Sequence, residues 1–272
     1  MPTRDERIAI EVDGLALEGT LVRPGARMPG VLFVHGWGGN QQHYIGRARE
    51  LAALGCLCLT FDLRGHAQTR SSNDTVTRED NLQDVVAAYD VLAAQPGVDA
   101  DAIAVVGSSY GGYLAAILTS VRRVRWLALR VPALYKDEDW DAPKSVLNKR
   151  QNLEAYRRTP VLPAESVALR ACAAFRGDAL LVESEHDAII PHQVVLNYRD
   201  AFAGARSITY RVIDGADHGL SDSRWQQAYT SLLAGWMGEM VSGMRGHWGA
   251  HDEPPAVAAV RPKAATSNSE AS

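Results

Sequence analysis

Short, nearly uninterrupted apolar runs punctuate the chain: Val31-Leu32-Phe33-Val34, Cys56-Leu57-Cys58-Leu59-Thr60-Phe61, Ile103-Ala104-Val105-Val106, Trp126-Leu127-Ala128-Leu129 and Ala179-Leu180-Leu181-Val182. Runs of this length without polar alternation are what a strand needs when both faces of its sheet are covered, so they predict a parallel sheet. The first residues follow another rule. Ile8–Val12 and Leu15–Val22, parted by Asp13-Gly14, predict an antiparallel hairpin, because Asp-Gly adopts the positive φ of a two-residue turn. Ile208–Ile213 predicts a last strand. Between the runs, Leu82, Val85, Val86, Tyr89 and Leu92 fall on one face of a helix that Gln95-Pro96-Gly97 ends. The expected fold class is therefore α/β, a mostly parallel sheet with helices on both faces and ligands at the carboxyl ends of its strands.

Pro132 to Gly177 is too long for a simple connection between two strands, and about 132–177 is expected to include a small helical cap inserted into a domain spanning 1–248. Residues 249–272, rich in Ala, Pro and Ser, predict a disordered tail. The chain has 272 residues, 46% hydrophobic and 22% charged, which is ordinary globular composition, and its formal net charge of -4 offers no basic footprint for nucleic acid. Arg122-Arg123-Val124-Arg125 reads as a solvated corner between helix and strand. Cys56 and Cys58 point to one face of a strand as small buried hydrophobes, and no disulfide framework is implied by three cysteines. The charged start Met1–Arg7 lacks the apolar core of a secretion signal, and no run reaches the roughly 18 apolar residues of a membrane span. A soluble cytoplasmic protein is expected, without nucleic-acid or membrane partners. Its oligomeric state is not legible.

Gly107-Ser108-Ser109-Tyr110-Gly111 follows an apolar strand and precedes the helix-like Gly112–Leu118. A serine on a sharp strand-to-helix turn presents its hydroxyl outward and tolerates only small neighbours, so Ser109 is the candidate nucleophile. Such a hydroxyl needs a base, and the base needs an orienting acid. His218 follows the last strand and Asp187 the strand before it, in the chain order Ser, acid, His. Glu183, Glu185 and Asp217 are alternatives for the acid; Asp217 adjoins His218 too closely to reach its ring, and the two glutamates lie near the strand end. His186, Asp187 and His192 match no zinc spacing, and neither a metal nor a cofactor is expected. For the oxyanion, the backbone N–H of Tyr110 and that of Trp37, in His35-Gly36-Trp37-Gly38-Gly39, are the expected donors. His35 is expected to fix that loop. Trp37, Tyr110, Tyr135, Trp140 and Tyr156 fit either an acyl pocket or the core.

From about Val31 to Met240 these motifs resemble the α/β-hydrolase superfamily. Asp62-Leu63-Arg64-Gly65-His66 resembles its structural Asp-x-Arg-Gly-His turn, and the elbow through Tyr113 is similar to that of prolyl-oligopeptidase-type peptidases and small bacterial esterases. Dienelactone hydrolases are similar in size but carry cysteine where this chain has Ser109. The resemblance implies a cofactor-independent serine hydrolase acting on a small-molecule ester or acyl substrate. Amide or aminoacyl-peptide cleavage, thioester cleavage, and ligand binding without turnover stay open.

Overall fold

The computed structural model of the protein describes residues 4–23 and 28–248. The N-terminal hairpin consists of β1 (Arg4–Val12) and β2 (Leu15–Arg23), with Val12 opposite Leu15. Asp13 (φ 48°) and Gly14 (φ 76°) make the left-handed pair that matches the twist of the strands. The apolar runs form β3 (Met28–Val34), β4 (Leu57–Phe61), β5 (Val98–Ser108), β6 (Trp126–Arg130) and β7 (Asp178–Ser184), and β8 is Ser207–Ile213. β5 begins earlier than its apolar run because Val98 and Asp99 pair with Met28 and Pro29 ahead of a register shift at Pro29/Gly30. One sheet holds all of them in the order β1-β2-β4-β3-β5-β6-β7-β8. Pairing is parallel from β4 to β8, and the hairpin joins antiparallel through β2 and β4.

The helices are α1 (Gln42–Ala53), α2 (Arg78–Ala93), α3 (Tyr110–Leu118), α4 (Leu147–Arg150), α5 (Leu153–Tyr156), α6 (Val167–Ala174), α7 (His192–Ala201) and α8 (Ser223–Trp248). Alternate strand residues serve opposite layers. Leu32, Val34, Val105, Leu129 and Leu181 pack with α2, α3, α6 and α7, whereas Val31, Phe33, Val106, Trp126 and Val182 pack with α1 and α8. In α2, Val85, Tyr89 and Leu92 of the expected stripe are buried, with Leu82 and Val86 at its margin. Thr77 caps that helix: its Oγ1 accepts from Asp80 N at 3.1 Å, and Asp80 Oδ2 accepts from Thr77 N at 2.8 Å.

Between β6 and β7 lie a 3-10 turn at Lys144–Val146, then α4, α5, a second turn at Pro163–Glu165, and α6. Because α6 packs on α3 in the layer that covers the sheet, the inserted short helices are confined to residues 144–156. Arg78 at the start of α2 is fully buried and anchors this segment. It donates from Nη1 to Lys136 O at 2.6 Å and from Nη2 to Glu138 O, and its guanidinium lies 4.8 Å from the Trp140 ring centre. The expected tail at 249–272 lies outside the described residues. Among the described residues no helix is long and apolar enough to cross a membrane.

Replacing Arg78 by Met keeps most of the buried volume but removes its bonds to Lys136 O and Glu138 O, which then have Gln151 Nε2 as donor at 3.4 and 2.8 Å, at a cost of about 1 kcal/mol or more for each lost bond. The Arg78→Met variant is expected to unfold at clearly lower urea than wild type and to exchange amide hydrogens faster over residues 136–151. An unchanged urea midpoint would remove Arg78 as the anchor.

Candidate active site

The turn between β5 and α3 is built by close backbone approach. Ser109 has φ 52° and ψ -118°, an uncommon conformation for a residue with a side chain. A Cβ on Gly107 would sit 2.5 Å from Gly111 O, and one on Gly111 would sit 2.2 Å from Val34 O. Both glycines are therefore required by packing. Ser109 N donates to Arg130 O at 2.9 Å, and Ser109 O accepts from Ala133 N at 2.9 Å and from Tyr113 N at 3.1 Å. These bonds hold the strained residue with its side chain half-buried at the sheet's carboxyl edge.

His218 comes from the loop after β8 and Asp187 from the loop after β7. His218 Nε2 lies 3.1 Å from Ser109 Oγ, and Nδ1 lies 2.7 Å from Asp187 Oδ2. Asp187 Oδ1 accepts from the amides of Ile189 and Ile190, each at 2.8 Å, which fixes the carboxylate plane. With its proton on Nδ1 facing Asp187, the imidazole presents Nε2 as an acceptor for the serine hydroxyl. The other carboxylates point elsewhere. Glu183 binds His192 Nδ1 at 2.7 Å and the Tyr210 hydroxyl, Glu185 accepts from Gly215 N, and Asp217 accepts from Ser221.

The His35–Gly39 loop passes directly beside the serine, since a Cβ on Gly36 would lie 3.2 Å from Ser109 Cβ. Two buried histidines hold it. His35 Nε2 accepts from Leu63 N at 3.0 Å while Nδ1 faces Gly36 O at 2.8 Å; His66 Nε2 accepts from Gly38 N at 3.0 Å while Nδ1 faces Arg64 O at 3.1 Å. An accepting Nε2 requires a neutral ring. Burial agrees, lowering His35 to about 3 and His66 below the ordinary imidazole range. Asp62, of the same turn as His66, accepts from Gln41 N at 2.8 Å. Trp37 and Tyr110 adjoin edge to face at 5.6 Å, and Tyr110, heading α3, has an N–H in the first helical turn, where no intrahelical carbonyl can accept from it.

A cavity of about 390 Å³ opens on Ser109 and His218, walled by Gly36–Gly39, Tyr44, Arg47, Arg130, Leu220 and Tyr229. Of the five aromatic residues weighed for an acyl pocket, Trp37 lines this cavity, and Tyr110, Tyr135, Trp140 and Tyr156 pack with the core. No residue of 132–177 belongs to its described lining. Among the described residues no group of three or more His, Cys, Asp or Glu is arranged to hold a metal.

A family model described as the alpha/beta hydrolase fold matches residues 29–149. The chain has the α/β-hydrolase fold. The thiohydrolase aneE of Aspergillus aculeatus is 29% identical over 155 residues, 54% of this chain and 49% of aneE, so the chain spans about half the length of that curated relative. Est1E of Butyrivibrio proteoclasticus superposes with a TM-score of 0.65 at 16% identity, over 87% of this chain and 99% of that one. The dienelactone hydrolase of Anabaena variabilis gives 0.62 at 20% identity, over 86% and 96%.

One residue of this α/β-hydrolase site escaped the sequence reading. Arg130 ends β6 in register with Ser108; it is 7% exposed and donates from Nε to Ser108 Oγ at 3.1 Å and from Nη1 to Ser184 Oγ at 3.3 Å and His218 O at 2.9 Å. Its position, a basic residue closing an apolar strand at the ligand-binding edge of the sheet, was readable, but the partners that bury it were not.

The neutral histidines make the α/β-hydrolase loop sensitive to acid. Below pH 6.5 the unfolded chain protonates His35 and His66 while the folded chain resists, so the contribution of each, full above that pH, declines as pH falls, that of His35 being lost toward about pH 3. The slope is at most about 1.4 kcal/mol per pH unit for each ring. Asp62 and Asp84, raised by burial, act in the opposite sense. The difference between wild type and His35→Gln isolates the His35 term: urea unfolding at pH 7 and pH 4.5 is expected to show a smaller loss of stability in the variant. Equal losses would contradict a neutral His35.

Proposed function

We propose that the protein is a serine hydrolase of carboxylic esters. The observation that carries this reading is the continuous chain of contacts from Ser109 Oγ through His218 to Asp187, at 3.1 and 2.7 Å. His218 Nε2 takes the hydroxyl proton as Ser109 attacks the acyl carbon, and Asp187 steadies the imidazolium. The N–H groups of Trp37 and Tyr110 hold the oxyanion, each worth on the order of 3 kcal/mol in such sites. Collapse of the tetrahedral species expels the alcohol, protonated by His218, and leaves an acyl-serine. Water, deprotonated by the same imidazole, then releases the acid. No cofactor enters this scheme.

Thioester cleavage is the second reading. It is favoured by the name of the thiohydrolase aneE and uses the same attack and the same oxyanion donors with a thiolate leaving group. Ligand binding without turnover fits less well, because nothing about binding alone calls for a serine, an imidazole and a carboxylate in one hydrogen-bonded line.

Intact mass after exposure to a fluorophosphonate probe tests the reading without a choice of substrate. One adduct is expected on wild type and none on Ser109→Ala or His218→Ala; an unlabelled wild type, or a labelled Ser109→Ala, would refute it. Turnover of para-nitrophenyl acetate is expected to fall by about 10³-fold or more in Asp187→Asn, because the amide favours the wrong imidazole tautomer. A near-native kcat in that variant would remove Asp187 from the mechanism.

A further inference from the structure

The cavity beside Ser109 carries an unbalanced charge. Its described lining includes the guanidinium groups of Arg47 and Arg130 and the imidazole of His43, but no aspartate or glutamate, in a chain whose net charge is -4. The hydrogen-bond acceptors of both guanidinium groups are neutral. Arg47 donates from Nη1 to His43 O at 2.8 Å and lies over the rings of Tyr229, 4.9 Å from its centre, and Tyr44, at 5.8 Å. Arg130 donates to two serine hydroxyls and the His218 carbonyl, and lies 5.6 Å from the Tyr229 ring. Tyr229 is 1% exposed and lines the cavity; its hydroxyl has the Ser108 side chain as a neighbour but makes no well-aligned hydrogen bond, and the buried Nε of Arg47 makes none either. Burial pushes the Tyr229 phenol up, and the two arginines pull it back.

Two cations in a cleft with low-dielectric walls and no counterion concentrate an anion, and an idle buried donor is costly until something accepts from it. Arg130 spends its Nε and Nη1 donors on the strand ends, so the groups that bind no strand end are the guanidinium of Arg47 and the phenol of Tyr229. That pair matches a planar monoanion rather than a polyphosphate. We propose that the substrate's acyl chain bears a carboxylate, received by Arg47 and the Tyr229 hydroxyl while the acyl carbon lies at Ser109. The inference rests on the reading of Ser109 as the acyl acceptor. Its reaction is that already described: the ester C–O bond breaks, water supplies the new oxygen, and the product is a dicarboxylic acid plus the alcohol.

The test compares para-nitrophenyl hydrogen glutarate with para-nitrophenyl valerate, whose acyl chains have equal carbon number and differ at the terminal carboxylate. Wild type is expected to prefer the glutarate by about tenfold or more in kcat/KM, less so as salt is raised. The Arg47→Gln substitution is expected to lower that preference by about tenfold to a hundredfold. If Arg47→Gln does not fold, Tyr229→Phe takes its place, with a smaller drop in the same ratio. Equal rates on the two esters, a preference for valerate, or a ratio unchanged in the folded variant would overturn the proposal. Calorimetric titration of Ser109→Ala with glutarate separates this inference from the hydrolase reading. Glutarate binding that Arg47→Gln abolishes, with no ester turned over by wild type, keeps the anion site and rejects the hydrolase. Valerate turnover without glutarate binding does the reverse.

Discussion

One buried guanidinium joins the strand ends on which the site hangs. Arg130 links Ser108 at the end of β5, Ser184 at the end of β7 and the carbonyl of His218 beyond β8, while its own carbonyl accepts from Ser109 N. Parallel strands splay as a sheet twists, so three loops leaving neighbouring strand ends have no inherent reason to keep a distance of 3.1 Å between two of their side chains. A planar fork with several N–H donors fixes angles as well as distances, which a lysine in the same place would not do. The arrangement of Ser109, His218 and Asp187 depends on this hub and on the elbow's close backbone contacts.

A second set of cations fastens the segment between β6 and β7 to the loop beside Ser109. Lys144, 4% exposed, lies 4.5 Å from the centre of the Trp37 ring, 5.2 Å from that of Tyr110 and 5.1 Å from that of Tyr135. Arg157 lies over Tyr135 at 5.0 Å and Arg78 at 5.9 Å. Aromatic faces and carbonyls thus do for these cations what carboxylates do for Arg64, which pairs with Asp84 at 2.6 Å. The inserted helices pack beside the cavity instead of contributing to its described lining, and Lys144, just ahead of them, bears on the rings of Trp37 and Tyr110.

Much of this was legible along the chain because the controlling constraints are local. Continuous apolar runs read as β3, β4, β6 and β7, and Asp13-Gly14 as a turn, since two-sided burial and positive φ each select residue types. Ser109, Asp187 and His218 were readable as candidates because each follows a strand end on the same edge of a parallel sheet, and the fold brings the three together. The early start of β5 was hidden, being set by pairing with Met28 and Pro29 rather than by hydropathy. Arg130, Arg78 and Lys144 were hidden for another reason. A basic residue reads as solvated unless its carbonyl, hydroxyl or aromatic partners are known, and those partners lie tens of residues away.

The strand order also governs when the site can exist. The β1–β2 hairpin closes through two residues and forms from neighbours, but every pairing from β4 to β8 is parallel and waits on a crossover. Gly36, Ser109 and Asp187 belong to three such connections, and His218 lies after the final strand. A chain emerging from the ribosome could complete the elbow and still lack its imidazole. Ser109 thus has no imidazole beside it until β8 has docked, so these side chains come together only as the whole topology closes.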